Sequence, residues 1–102
     1  MLTFLRQRSA IANEAEGIVG LICHAFPVSE QQRLSDARLK KRAAAAVREI
    51  ATTARRVARE RPSGWLGKAY IANRVRWELI DRGYSDEFVE TITSGLVVSM
   101  EV

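Results

Sequence analysis

The chain is poor in residues that usually anchor chemistry. In 102 residues it has one cysteine, Cys23, one histidine, His24, and two prolines, Pro27 and Pro62. A single thiol excludes an intramolecular disulfide and fits a reducing compartment. A single imidazole makes any zinc site dependent on carboxylates from other elements. Cys23 and His24 are neighbours, but on a helix neighbours point about 100° apart, outside the hydrogen-bond reach a thiolate–imidazole pair needs. They are read as a small buried apolar residue and a surface or boundary residue. Long hydrophobic runs are also missing. The longest, "IVGLICHAF" at 18–26, falls well short of the roughly 20 residues of a membrane span. The opening "MLTFLRQR" is broken by Arg6, Gln7 and Arg8 before an apolar signal-peptide core builds up. The expectation is a cytoplasmic chain with no membrane contact.

Catalytic patterns are equally scarce. There is no phosphate loop, no GxGxxG and no serine nucleophile elbow. The acidic residues Glu78, Asp81, Asp86, Glu87 and Glu90 lack the spacing of a calcium loop and suit capping and solubility. The expectation is therefore a non-enzyme with no catalytic residue, no metal and no cofactor.

What is present is helix-forming composition. Hydrophobic residues make up 47% and charged residues 27% of the chain, a globular balance that argues against disorder. The length suits one domain, 1–102, with one modest core. Ala, Arg, Glu and Leu are common and strand formers are sparse before the last residues, which favours an all-α fold. No repeat occurs, and no low-complexity stretch beyond the run of four alanines, Ala43–Ala46.

Punctuation and period predict four helices. The first spans about Thr3 to Ala25, with Ile11, Ala15, Ile18, Ile22 and Ala25 at helical steps and Pro27 as its stop. Gly17 and Gly20 weaken it by roughly 1 kcal/mol each; they are tolerated glycines or points of close helix approach. The second begins at Ser29, an N-cap with Gln32 three residues on, and runs to Arg61, where "PSG" ends it. Unbroken, it is about 48 Å long. The alternative is a short turn at 30–34 and a start at Ser35-Asp36. The third lies between about Leu66 and Arg82, ended by Gly83 as a left-handed cap. The fourth starts at Ser85, with Asp86 and Glu87 in its first turn and Tyr84 and Val89 spaced as a hydrophobic staple. Phe88, Ile92 and Leu96 are its buried face. Helices three and four form an αα-hairpin. Residues 97–102 continue the helix or leave it as an extended tail. The whole is an all-α, four-helix bundle-like domain with a long basic second helix.

The charge is concentrated. Residues 33–61 carry ten basic and three acidic side chains, net +7, whereas residues 1–32 are net −1 and residues 62–102 net −2. With Leu39 at 0° and 100° per residue, Ala43, Ala46, Val47, Ile50, Ala54 and Val57 fall within about −20° to +80°. Lys41, Arg48, Arg55 and Arg59 fall at about 160° to 200°, with Arg38, Arg42 and Arg56 flanking them. The small apolar stripe permits close packing, on helix one or on the same helix of a second subunit. The opposed ridge is a candidate contact for an anionic partner, whether nucleic acid or an acidic protein, or else a solvated helix back. It has no interleaved aromatic, Asn or Gln residues to read bases.

Helix three is apolar on more than one side. Ile71, Val75 and Leu79 form one stripe; Leu66, Tyr70, Trp77 and Ile80 form another, with Trp65 near the start. A central helix three buries both. An exposed second stripe makes Trp65, Tyr70, Trp77 and Ile80 protein-interface candidates. The stretch "ANRVRWELIDRGYSDEFVETITSGL", residues 72–96, resembles one helical repeat of RecX-type recombination regulators: a helix, a Gly-aromatic turn and a second helix. It covers about a quarter of the chain, in a single copy. The resemblance implies the hairpin shape, and no function is carried over from it. The expected role is a non-catalytic binding or regulatory module acting through protein–protein contacts, as a homodimer or with another protein. The alternative is a nucleic-acid-binding protein contacting phosphates through the second helix.

Overall fold

The computed structural model describes residues 2–60 and 64–101, with side chains for residues 12–60 and 67–101. Helix α1, Leu2–Ala25, turns Ala15, Ile18, Val19 and Ile22 into the core, and Phe26 follows, also buried. Ile11 lies outside the described side chains, and Ala25 is half-buried. Gly17 and Gly20 face open space, with nothing within 4 Å of where a Cβ would stand. They are surface glycines with no close neighbour among the described residues.

The chain next departs from the expected unbroken second helix. Val28–Arg33 is a short 3-10 helix entered from Pro27, with no side-chain cap at its start. The Ser29–Gln32 capping box does not form; Leu34 is extended. Helix α2, Asp36–Glu60, takes the alternative start instead, with the Arg38 N–H donating to Ser35 Oγ at 3.4 Å. The reason for the break is tertiary. Gln31 Nε2 donates to the Gly83 carbonyl at 2.6 Å, and its Oε1 accepts from the Ser85 N–H at 3.0 Å. One amide thus clamps the 3-10 segment to the turn 52 and 54 residues away, a gain that spacing within residues 28–35 cannot reveal.

In α2 the stripe is buried at Leu39, Ala43, Ala46, Ile50, Ala54 and Val57, joined by Ala51, while Val47 at its edge is half-buried. Its chief neighbour is α4, Asp86–Glu101, followed by α1. The close approach expected of the alanines is made with a helix not named for it. At Gly95 on α4, an added Cβ would stand 2.6 Å from Val47 Cγ2 and 2.7 Å from Cγ1. Glycine is required there because the α2 side chain rests on α4 backbone.

Helix α3 is Gly64–Asp81, so the last residue of the expected "PSG" break opens it, while Pro62 and Ser63 lie outside the described residues. Ile71, Ala72, Val75 and Leu79 are buried. Its end is a Schellman motif: Gly83, at φ 97°, donates to the Ile80 carbonyl at 3.0 Å and Tyr84 to the Leu79 carbonyl at 3.1 Å. Ser85 then caps α4, its Oγ accepting from the Phe88 N–H at 3.3 Å. The extended-tail reading of 97–102 does not hold over residues 97–101; Val102 lies outside the described residues. The helix continues to Glu101 because Ser99 and Met100 pack inward one turn beyond Leu96.

The fold is thus the expected all-α bundle, with no strand among the described residues. Helices α2 and α3 each pack on α1 and α4, so they occupy opposite corners of an elongated body of 46 × 26 × 18 Å. At one end Phe26, Tyr84 and Phe88 form an aromatic cluster, with centroids 4.9 to 6.3 Å apart. The Tyr84 hydroxyl donates to the Phe26 carbonyl at 2.6 Å and so satisfies the backbone just past α1. Burial, then a hydrogen bond with Cys23, pushes the Tyr84 phenol well above its ordinary range.

Candidate functional site

Two surfaces stand out, on the diagonal helices. The first is the outer face of α3. Trp77 is 62% exposed, which places it outside the core rather than in it. A central α3 was the arrangement that buries both of its apolar sides. The helix occupies a corner instead, so Ile71, Val75 and Leu79 take the inner face and Trp77 points away. Tyr70 and Ile80 are half-buried, bridging the two sides, while Trp65 and Leu66 lie outside the described side chains.

Trp77 lies along a shallow groove of about 520 Å³, lined also by Tyr70, Asn73, Arg74, Glu78 and Asp81. These are its neighbours at i−7, i−4, i−3, i+1 and i+4, so helical spacing around Trp77 was the signal that would have found them. Arg74 is shared by two carboxylates, with Nε 3.2 Å from Glu78 and Nη2 4.0 Å from Glu16 on α1. Asp81 has no such partner among the described residues. The face is therefore aromatic at its centre and carries both signs of charge around it.

The second surface is the outer face of α2. All seven predicted cations, Arg38, Lys41, Arg42, Arg48, Arg55, Arg56 and Arg59, are exposed. The structure divides them by their partners. Arg42 pairs with Glu30 at 3.2 Å and lies over the Phe26 ring, 5.6 Å from its centroid. Arg56 pairs with Glu60 at 3.1 Å and approaches Glu14 at 3.9 Å. These two stitch α2 to its surroundings. Lys41, Arg48, Arg55 and Arg59, the ridge itself, have no carboxylate within ion-pair distance among the described residues, and neither does Arg38.

Cys23 is half-buried and His24 exposed. Among the described residues no group of three His, Cys, Asp or Glu side chains gathers closely enough to hold a metal ion. Among them, too, no helix is long and apolar enough to cross a membrane. No family model, curated protein or solved structure matches this chain. The likeness of residues 72–96 to a RecX-type repeat rests on those residues alone.

Proposed function

We propose that this chain is a non-catalytic helical binding module that acts through protein contacts, and that the outer face of α3 docks a second copy of the chain. The observation that carries this is the exposure of Trp77 at 62% in the middle of that face. A tryptophan left in water forgoes the burial of a large apolar surface, which a partner face recovers. Charge argues for a second copy as the partner. In a two-fold, antiparallel pairing of two α3 helices centred on Trp77, Arg74 of one copy meets Ile80 and Asp81 of the other, and the contact occurs twice. Asp81, without an ion-pair partner among the described residues, can accept it. Helix α3 is about 27 Å long, and a standard interface takes about 800 Å² from each partner. A face centred on one helix is smaller than that, so association is expected in the micromolar range.

Exchanging charge across the pairing tests this reading. Arg74→Asp and Asp81→Arg each weaken self-association measured by sedimentation. The two variants mixed, or combined in one chain, restore it. Equal self-association of all four species would refute the two-fold contact.

A second reading has its own observation. Four ridge cations without carboxylate partners among the described residues, on a helix about 37 Å long, support contact with nucleic-acid phosphates. Because α2 and α3 occupy opposite corners, a dimer through α3 leaves both ridges open. Glutamate at Lys41, Arg48, Arg55 and Arg59 should abolish an oligonucleotide mobility shift while leaving helicity intact. A wild-type chain that gives no shift at low salt contradicts this second reading.

A further inference from the structure

The ridge does not end with α2. Where α2 closes, Arg55, Ala58 and Arg59 share a pocket of about 280 Å³ with Lys68 of α3 and with Met100 and Glu101 of α4. Met100 is buried and, with Ala58, gives the pocket an apolar floor. Arg55, Arg59 and Lys68 bring three cations to its rim, and none has an ion-pair partner among the described residues. Glu101, exposed on the same rim, is the one opposing charge among the described residues. Lys68 is separated from the ridge by the α2–α3 connection, so no helical period in α2 points to it.

We infer that Lys68 completes a single phosphate track with Lys41, Arg48, Arg55 and Arg59, and that a phosphate of a nucleic-acid backbone seats in this pocket. The inference rests on the second reading above. Three features favour a regular phosphodiester chain. Lys41, Arg48, Arg55 and Arg59 stand in line on one helix over about 27 Å, long enough to meet several phosphates of a nucleic-acid backbone. Three of the four on α2 are arginines, whose planar fork suits phosphate oxygens. No aromatic, Asn or Gln side chain is interleaved along the line, which favours contact with the backbone over the reading of base edges.

The test is fluorescence anisotropy of the full chain with a labelled duplex of mixed sequence, repeated over a range of NaCl concentrations. Five contacts give a slope of log K against log salt of about −4.5, from about −0.9 per neutralised phosphate. Lys68→Ala and Arg59→Ala should each reduce that slope by about 0.9. Arg76→Ala, an exposed arginine of α3 that does not line this pocket, should leave it unchanged. Glu101→Gln should tighten binding. Circular dichroism of each variant confirms that the fold is kept. A slope lowered by the α2 variants but untouched by Lys68→Ala overturns the inference and leaves the ridge reading standing. Absence of binding by the wild type at low salt overturns both. Polyglutamate of equal charge binding as tightly as the duplex would assign the track to an acidic protein, and displacement by inorganic phosphate beyond that by chloride at matched ionic strength would reduce it to an isolated anion seat. Either result overturns the inference.

Discussion

Gly95→Ala is the perturbation that most sharply tests the packing of α2 on α4. In a solvated helix, replacing glycine by alanine gains about 0.8–1.0 kcal/mol. At Gly95 the new methyl would stand 2.6 and 2.7 Å from the two γ-methyls of Val47 and 3.2 Å from its Cβ. Val47 is β-branched and stiff about χ1 in a helix, so it cannot swing clear. Overpacking of this kind costs about 1–3 kcal/mol. The cost outweighs the gain, and the variant should be destabilised by about 1 kcal/mol, a fall in Tm of about 4–8 °C for a domain of this size. Removing the two γ-methyls by Val47→Ala leaves only the 3.2 Å contact with Cβ. In that background Gly95→Ala should turn stabilising, giving a coupling of about 2 kcal/mol in a double-mutant cycle read by urea denaturation. Gly17→Ala and Gly20→Ala are the built-in controls. Both glycines face open space, so each change should stabilise by up to about 1 kcal/mol. If Gly95→Ala stabilises the unaltered chain as these do, the close approach of Val47 to α4 is refuted.

Other outcomes follow from particular contacts. Tyr84→Phe strands the buried Phe26 carbonyl and should cost about 1–3 kcal/mol in chemical denaturation. The Tyr84 phenol is held above its ordinary range, so its contribution is full below about pH 10 and declines as pH rises, at up to about 1.4 kcal/mol per pH unit. Melting curves in alkaline buffer should show this decline, less steep in Tyr84→Phe. Gln31→Ala removes both bonds to the α3–α4 turn and should cost about 1–2 kcal/mol; hydrogen exchange should then quicken in residues 28–35 first. Trp77→Ala removes an exposed side chain and should shift stability by less than about 0.5 kcal/mol, measured at a concentration that keeps the chain monomeric.

The fold was legible where the governing chemistry is local. Gly83, Tyr84 and Ser85 specify a turn through their own backbone and caps, and the α3–α4 hairpin forms as they dictate. The α2 stripe was legible because its apolar and basic sides never mix. Legibility failed where distant groups decide. Helical spacing runs through residues 29–35 and Ser35-Asp36 offered a second start, but the choice between them rests on the clamp from Gln31 to Gly83 and Ser85 and on Val28 and Leu34 packing against the core. Val97 and Val98 prefer strand by type, yet burial of Leu96 and Met100 on one face keeps them helical. Trp77 was ambiguous for a different reason. On a helix apolar on two sides, period alone cannot say which side meets the core; the corner position of α3 decides it. Lys68 was missed because its companions belong to another helix.

The proposed role stands or falls on what covers Trp77. Sedimentation velocity of the full chain, from low micromolar to submillimolar concentration, beside Trp77→Ala, measures it most directly. The account predicts a concentration-dependent monomer–dimer equilibrium for the wild type and a monomer throughout for the variant, with matching circular dichroism. A wild type that stays monomeric over the whole range, or a Trp77→Ala variant that dimerises equally well, would contradict it.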